Sequence, residues 1–107
     1  MDEIFEKKIK IIVKAIRYRE VLSFTYEDGE KYRVEPYVLG ISEDTGKHTL
    51  CCHHSTSHEV RDYMKSWKFF EVEKMTDVRL TAVRMKDTRR GSDEIDPNMS
   101  EIIAELR

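Results

Sequence analysis

Hydrophobic and polar positions change their period once near the start of the chain. From Ile4 to about Arg19 the apolar residues recur every three or four positions, with basic residues largely between them. This spacing predicts an amphipathic helix of about four turns. Its apolar face is wider than a narrow stripe, so we expect it to pack broadly on a sheet.

After Glu20 the apolar residues recur at every second position, which is the period of a strand. An Asp28-Gly29 turn signal separates two such stretches, so residues 21–35 are predicted to form a β-hairpin. Pro36 cannot donate a ladder hydrogen bond and should mark a bulge, an edge or the end of pairing. Further strands are predicted at 48–53, 67–75 and 78–83, with a long polar loop that connects the first two of these ranges and ends at residue 66.

The last part of the chain carries a helix-start signature. Asp96 is a suitable N-cap and Pro97 suits the first helical position. The following apolar residues have helical spacing: Met99, Ile102, Ile103 and Leu106. We therefore expect a short C-terminal helix, docked on the sheet or on a second copy of the chain because so short a helix is marginal alone.

Together these elements predict one α+β, mainly β domain over residues 1–107. The expected architecture is a small five-stranded antiparallel Sm/SH3-like β-barrel with a helix at each end. The helix occupies 1–20, the barrel 21–85, and the tail with its C-terminal helix 86–107.

Composition narrows the classes of function. Of 107 residues, 39% are hydrophobic and 37% charged, and the net charge is −2, so any nucleic-acid site must be a local patch. Apolar runs such as 11–13 are far too short to span a bilayer, and the first residues lack a basic signal-peptide flank. The adjacent Cys51 and Cys52 cannot easily close a disulfide. We expect a reduced, cytoplasmic protein with no membrane partner.

Several stretches, spread over nearly the whole chain, resemble the WYL domain family. They are Ala15-Ile16, Leu22-Ser23-Phe24-Thr25-Tyr26, Val34-Glu35-Pro36-Tyr37, Leu50, residues 67–75 and residues 99–106. The tripeptide that names the family falls at His48-Thr49-Leu50, where only the leucine is retained. Lys68 and Lys74 stand where the family usually has arginine, and Glu71 stands at an often basic position.

The resemblance implies a five-stranded barrel that senses a ligand and does not catalyse a reaction. WYL domains usually follow a winged helix-turn-helix in bacterial transcription regulators, and they also occur in CRISPR-linked and phage-defence proteins. Nucleotides or single-stranded nucleic acid are the effectors of several members. Only a helix precedes the first strand here, so the resemblance implies regulation of a separate protein partner.

Cysteine and histidine occur together at 51–54, which resembles a zinc ligand set in composition but not in spacing. In a strand, Cys51 and His53 point to one face while Cys52 and His54 point to the other, so the four cannot converge on one ion. A cysteine-histidine nucleophile is the enzyme alternative, but no oxyanion-hole motif accompanies it. We predict no enzyme, no metal and no cofactor.

The fourth predicted strand combines aromatic and basic residues. Alternation places Lys68, Phe70 and Val72 on one face and the remaining aromatic residues on the other. Trp67 and Phe69 are then free to stack a base, or they pack under the first helix. The candidate binding residues are Lys68, Lys74, Trp67, Phe69, Ser55, Ser57, Arg61 and His48.

These residues predict a module that binds a nucleotide-type ligand or a short single-stranded nucleic acid. Phosphates would be neutralised by the basic side chains and a base would stack on an aromatic ring. The alternative is an interaction module without a small ligand, which forms a homodimer through the apolar residues of the C-terminal segment.

Overall fold

The computed structural model describes residues 3–54, 67–85 and 98–106. These residues form one helix and six strands in a mainly β arrangement, with the helix first, as predicted. The elements are α1 (Glu3–Tyr18), β1 (Glu20–Thr25), β2 (Lys31–Ser42), β3 (His48–His54), β4 (Trp67–Glu71), β5 (Thr76–Arg84) and β6 (Met99–Glu105). Within this part of the chain, no helix is long and apolar enough to cross a membrane.

Helix α1 is the amphipathic helix that the apolar spacing predicts. Glu3 and Glu6 lie in its first turn and Arg17 in its last, which complements the helix dipole. Ile12, Ala15 and Ile16 are its buried residues, and the helix packs against β1, β2, β5 and β6. The hydrophobic contact with the sheet therefore holds α1, as expected for a helix of this pattern.

The predicted hairpin is confirmed, with Leu22 opposite Val34 and Phe24 opposite Tyr32. Gly29 has a φ of 81° in the turn, where a side chain would be strained. The Asp28 carboxylate accepts hydrogen bonds from the backbone N–H of Glu30 at 2.9 Å and the Tyr32 hydroxyl at 3.0 Å. The turn thus sets the register of β1 against β2.

Strand β2 continues through Pro36 and is the longest strand of the described residues. The register against β3 shifts between Pro36 and Val38, so of the three alternatives predicted at Pro36 the structure has a bulge, at Tyr37. On the opposite edge of β2, pairing with β1 covers Lys31 to Val34 and pairing with β6 begins at Val38. Pro36 therefore lies in the gap between these two pairings, where a strand on that edge does not require an N–H donor.

The described strands are arranged as an open antiparallel sheet in the order β4-β3-β2-β1-β5, with β6 also paired to β2. Closure of the sheet into a barrel is not shown by these pairings. Six strands replace the predicted five, because the chain's last segment joins the sheet.

The prediction of a C-terminal helix is wrong. Met99–Glu105 is strand β6, with Gly40 opposite Ile102 and Leu39 opposite Ala104, and the Leu106 N–H donates to the Tyr37 carbonyl at 2.7 Å. A short isolated helix gains little stability, whereas this segment completes the open edge of β2 and places its β-branched Ile102 and Ile103 in a strand. The proposed capping residues Asp96 and Pro97 lie outside the described residues.

The fourth predicted strand is shorter than expected. Strand β4 ends at Glu71, and Val72–Lys74 forms a single 3₁₀ turn before β5 begins. Phe70 and Val72 are buried as predicted. The main core contains residues of α1 and the strands it covers, including Ile12, Ile16, Leu22, Phe24, Val34, Leu39, Leu50, Cys52, Phe70, Val72 and Met75.

We predict that Gly40→Ala weakens the pairing of β2 with β6. An added methyl group at Gly40 would overlap the Glu101 carbonyl oxygen and approach Met99 Sδ to 2.5 Å. Overpacking of this kind costs about 1–3 kcal/mol in free energy of unfolding, measurable by urea denaturation. The control Glu101→Ala changes an exposed side chain of the same ladder and should stay within about 0.5 kcal/mol of the parent. Equal stability of Gly40→Ala and the parent would contradict the close approach.

Candidate ligand-binding groove

Strand β4 places its two candidate aromatic residues in different surroundings. Trp67, Phe69 and Glu71 are alternate residues of the strand and therefore share one face. His53, Cys51 and Thr49 of β3 lie opposite them on the same face. This face is separate from the main core, which contains Phe70 and the helix residues. The alternation predicted from the sequence is therefore confirmed for this strand.

Trp67 is 9% exposed and packs in a second cluster with Tyr37 and Cys51. Its ring lies edge-on to Tyr37, with centroids 4.8 Å apart, and edge-on to His53 at 5.4 Å. His53 in turn lies opposite Glu35 on β2, with Nδ1 3.8 Å from Glu35 Oε1. Trp67 is thus a core residue of the second face, and it does not pack under α1.

Phe69 is 49% exposed and is the aromatic residue of β4 that a ligand can reach. Its ring lines a groove of about 400 Å³ on the second face of the sheet. The other described lining residues are Ser42, Asp44, Thr45, Thr49, Glu71 and Asn98. The groove therefore combines one apolar ring, on which a flat group can stack, with hydroxyl, amide and carboxylate groups that can form hydrogen bonds.

The turn between β2 and β3 forms one wall of the groove. The Ser42 hydroxyl accepts hydrogen bonds from the backbone N–H groups of Asp44 and Thr45, at 3.3 and 3.4 Å. The Asn98 side chain donates to Asp44 Oδ2 at 2.9 Å, and the Asn98 carbonyl accepts from the Glu43 N–H at 2.9 Å. These bonds join the turn to the start of β6 and hold the lining groups in place.

Lys74, a predicted phosphate ligand, is instead neutralised by two carboxylates. Its Nζ lies 2.7 Å from Glu71 Oε2 and 3.3 Å from Glu27 Oε2. The hydrogen bond with Lys74 lowers the pKa of Glu71, and the hydrogen bonds with Glu71 and Glu27 raise the pKa of Lys74. Both groups are therefore charged at neutral pH, and a phosphate would have to compete for the ammonium.

Lys68 is exposed on the other face of β4, opposite Cys52. Within the described residues, no carboxylate lies within 4.0 Å of its ammonium group. Lys68 and Phe69 therefore flank the same strand from opposite faces. A ligand must extend past this strand to contact both.

The remaining predicted residues do not join this groove. The His48 ring lies edge-on to Phe5 of α1 at 5.0 Å, on the face of β3 opposite to Thr49. Ser55, Ser57 and Arg61 lie outside the described residues. Of the eight candidates, Phe69 alone is among the described residues that line the groove.

Sequence reasoning missed most of the groove. Ser42, Asp44 and Thr45 belong to the turn between β2 and β3, and Asn98 follows the predicted helix start at Asp96 and Pro97, so neither segment carried a signal for a ligand site. A signal for Thr49 and Glu71 existed in the strand alternation, since both share a face with Phe69 once β3 is paired with β4. That register cannot be derived from either strand alone.

Cys51 and Cys52 are both free and buried. Burial raises the pKa of the Cys51 thiol to about 12 and that of Cys52 well above its usual value. Both thiols are protonated at neutral pH, which is the opposite of an activated nucleophile. Among the described residues, no three His, Cys, Asp or Glu side chains are grouped so that they could hold a metal ion.

Comparison with models of known protein families gives no match for this chain, and neither does comparison with curated proteins.

We predict slow alkylation of both cysteines in the folded protein. Because they are buried and protonated, iodoacetamide at about pH 8 should modify them at least roughly 100-fold more slowly than in concentrated urea, as followed by mass spectrometry. Stability should also fall as pH rises above the ordinary thiol pKa of about 8.5, because the unfolded chain then loses thiol protons that the folded chain keeps. Equal alkylation rates in the two states would contradict the burial of these thiols.

Proposed function

We propose that this protein is a non-catalytic, cytoplasmic ligand-sensing module that regulates a separate protein partner. Its ligand is a nucleotide-type molecule or a short single-stranded nucleic acid, which stacks a base on Phe69. The observation that carries this proposal is the exposed ring of Phe69 in a groove lined by polar groups.

An exposed aromatic ring on a strand is suited to base stacking. Every nucleobase has a flat apolar face, and stacking on an aromatic side chain contributes about 1–3 kcal/mol per base. The pairing of β4 with β3 fixes the backbone of Phe69, and the buried Cys51 lies opposite it on β3. The ring is therefore presented by a paired strand, which reduces the conformational entropy lost on binding.

Basic groups near β4 supply charge for phosphates outside the groove. Lys68 is exposed beside Phe69 in the strand, and Lys47 follows the groove-lining turn. Lys47 Nζ lies 2.9 Å from Glu73 Oε1, with both side chains about half exposed. Such an exposed ion pair is weak and can rearrange when a phosphate approaches.

The resemblance to WYL domains supports the same assignment. We take the antiparallel sheet, in which β2 is shared among three partners, to be part of the Sm/SH3-like barrel that the resemblance implies. The family's ligand-sensing role would then be carried by the second face of the sheet, with transcription regulation or phage defence as the setting.

We predict that Phe69→Ala weakens binding of a short single-stranded RNA or DNA about tenfold, because the stacking platform is lost.

Lys68→Ala should also weaken binding and lower its salt dependence by about one phosphate contact. Fluorescence anisotropy with labelled oligonucleotides at several salt concentrations measures both effects. Matched controls are Leu80→Ala on β5 and Lys7→Ala on α1, each exposed and outside the groove. No binding by the parent protein at low salt would refute the proposal.

Self-association is the second candidate function. Ile102 and Ile103 of β6 are adjacent and both exposed, at 46% and 37%. Neighbouring strand residues point to opposite faces, so both faces of β6 present an apolar side chain. A homodimer that covers Ile102 and Ile103 would use the C-terminal segment that the sequence indicated, but this segment would be a strand and not a helix.

Light scattering over a range of concentrations tests self-association. If β6 forms a dimer contact, the mass should rise from one chain toward two, and Ile102→Glu should return it to one chain because a charge cannot be buried without a partner. Leu80→Glu on β5 is the control for an exposed apolar residue elsewhere. A constant monomeric mass at high concentration would eliminate this candidate.

A further inference from the structure

The described lining of the groove accepts hydrogen bonds more readily than it donates them. It contains the carboxylates of Asp44 and Glu71, whereas none of its described members is a lysine or arginine. An ionised carboxylate only accepts hydrogen bonds. The part of a ligand that enters must therefore present N–H or O–H donors, and a phosphate there would meet like charge.

Glu71 is the carboxylate most closely linked to the stacking ring. It lies two residues after Phe69 on the same face of β4, so the two Cβ atoms are about 6–7 Å apart. Its backbone N–H donates to the Tyr26 hydroxyl at 3.1 Å, which anchors the end of the strand. The side chain is thus positioned next to any base that stacks on Phe69.

The ion pair with Lys74 fixes the state of this carboxylate. Lys74 Nζ contacts the buried Oε2 at 2.7 Å and lowers the pKa of Glu71. The carboxylate is consequently ionised at neutral pH, and it lines the groove as a hydrogen-bond acceptor.

In a nucleic acid, the group next to a base is its sugar. The 2′-hydroxyl is the donor that ribose has and deoxyribose lacks, and it allows a protein to distinguish RNA from DNA. A carboxylate that accepts from a ribose hydroxyl is an established means of such recognition.

We propose that Glu71 makes the groove selective for ribose, by accepting a hydrogen bond from the 2′-hydroxyl of a nucleotide stacked on Phe69. This inference rests on the proposed function and narrows its ligand to RNA or a ribonucleotide. Phosphates remain outside the groove, where Lys47 and Lys68 are exposed.

Three oligonucleotides of the same adenine and cytosine sequence test this selectivity: RNA, DNA and 2′-O-methyl RNA. The methylated strand retains ribose-like geometry but has lost the O–H donor. Fluorescence anisotropy should show RNA binding at least about tenfold more tightly than the other two, which is the lower end of the range for a hydrogen bond to a charged group. Glu71→Gln should reduce this RNA-to-DNA ratio to within about twofold.

The control variant is Glu73→Gln, which also removes one negative charge and one lysine partner, Lys47. Glu73 is not among the described lining residues, so its substitution should leave the ratio unchanged. The ratio is the readout because freeing a lysine changes RNA and DNA affinity together. Urea denaturation of both variants confirms that they fold.

The outcomes separate this inference from the proposed function. Equal binding of RNA and DNA, or tight binding of 2′-O-methyl RNA, would overturn ribose selectivity while base stacking on Phe69 stands. An unchanged ratio in Glu71→Gln would overturn the role of this residue. Failure of every oligonucleotide to bind the parent protein would refute the proposed function, and the inference with it.

Discussion

Strand β2 is the element on which the rest of the sheet depends. One of its edges pairs with β3, and the other is divided between β1 and β6. The division falls at Pro36, which has no N–H, and the bulge at Tyr37 shifts the register just after it. Without this division the C-terminal segment would have no edge to join. The start of β6 would then not reach the turn after Ser42, which it contacts through Asn98.

The same sheet separates two environments. On one face, α1 covers the main core, in which Ile12, Ile16 and Phe24 are almost completely buried. On the other face, Trp67, Tyr37 and Cys51 form a smaller cluster beside the groove. Adjacent residues of β4 therefore have different roles, because Phe70 stabilises the main core while Phe69 remains accessible. Ligand binding at Phe69, as proposed, would leave the main core undisturbed, since the ring is not part of that core.

Electrostatics near the groove differs from that of a simple phosphate site. Lys74 is paired with Glu71 and Glu27, Lys47 is paired with Glu73, and Asp44 accepts a hydrogen bond from Asn98. Lysine charge is thus partly neutralised close to the groove, and the lining accepts hydrogen bonds. Recognition through a stacked base and a sugar hydroxyl fits this arrangement better than recognition through phosphate alone. Lysine at positions 68 and 74 agrees with this, since lysine lacks the planar fork through which arginine binds a phosphate with two hydrogen bonds.

Local patterns in the sequence determined the elements whose partners are close in the chain. Helix α1, the hairpin of β1 and β2 with its Asp28-Gly29 turn, and the alternation that buries Phe70 all follow from periods of 3.6 and two. Only the tertiary structure decided that residues 99–105 form a strand, because their apolar spacing suits a helix and Ile102-Ile103 suits a strand equally, and the open edge of β2 selects between them. The groove was likewise decided by pairing. Ser42 and Thr49 flank one turn, whereas Phe69 and Asn98 come from distant parts of the chain, and the register that joins them depends on contacts that no single segment encodes.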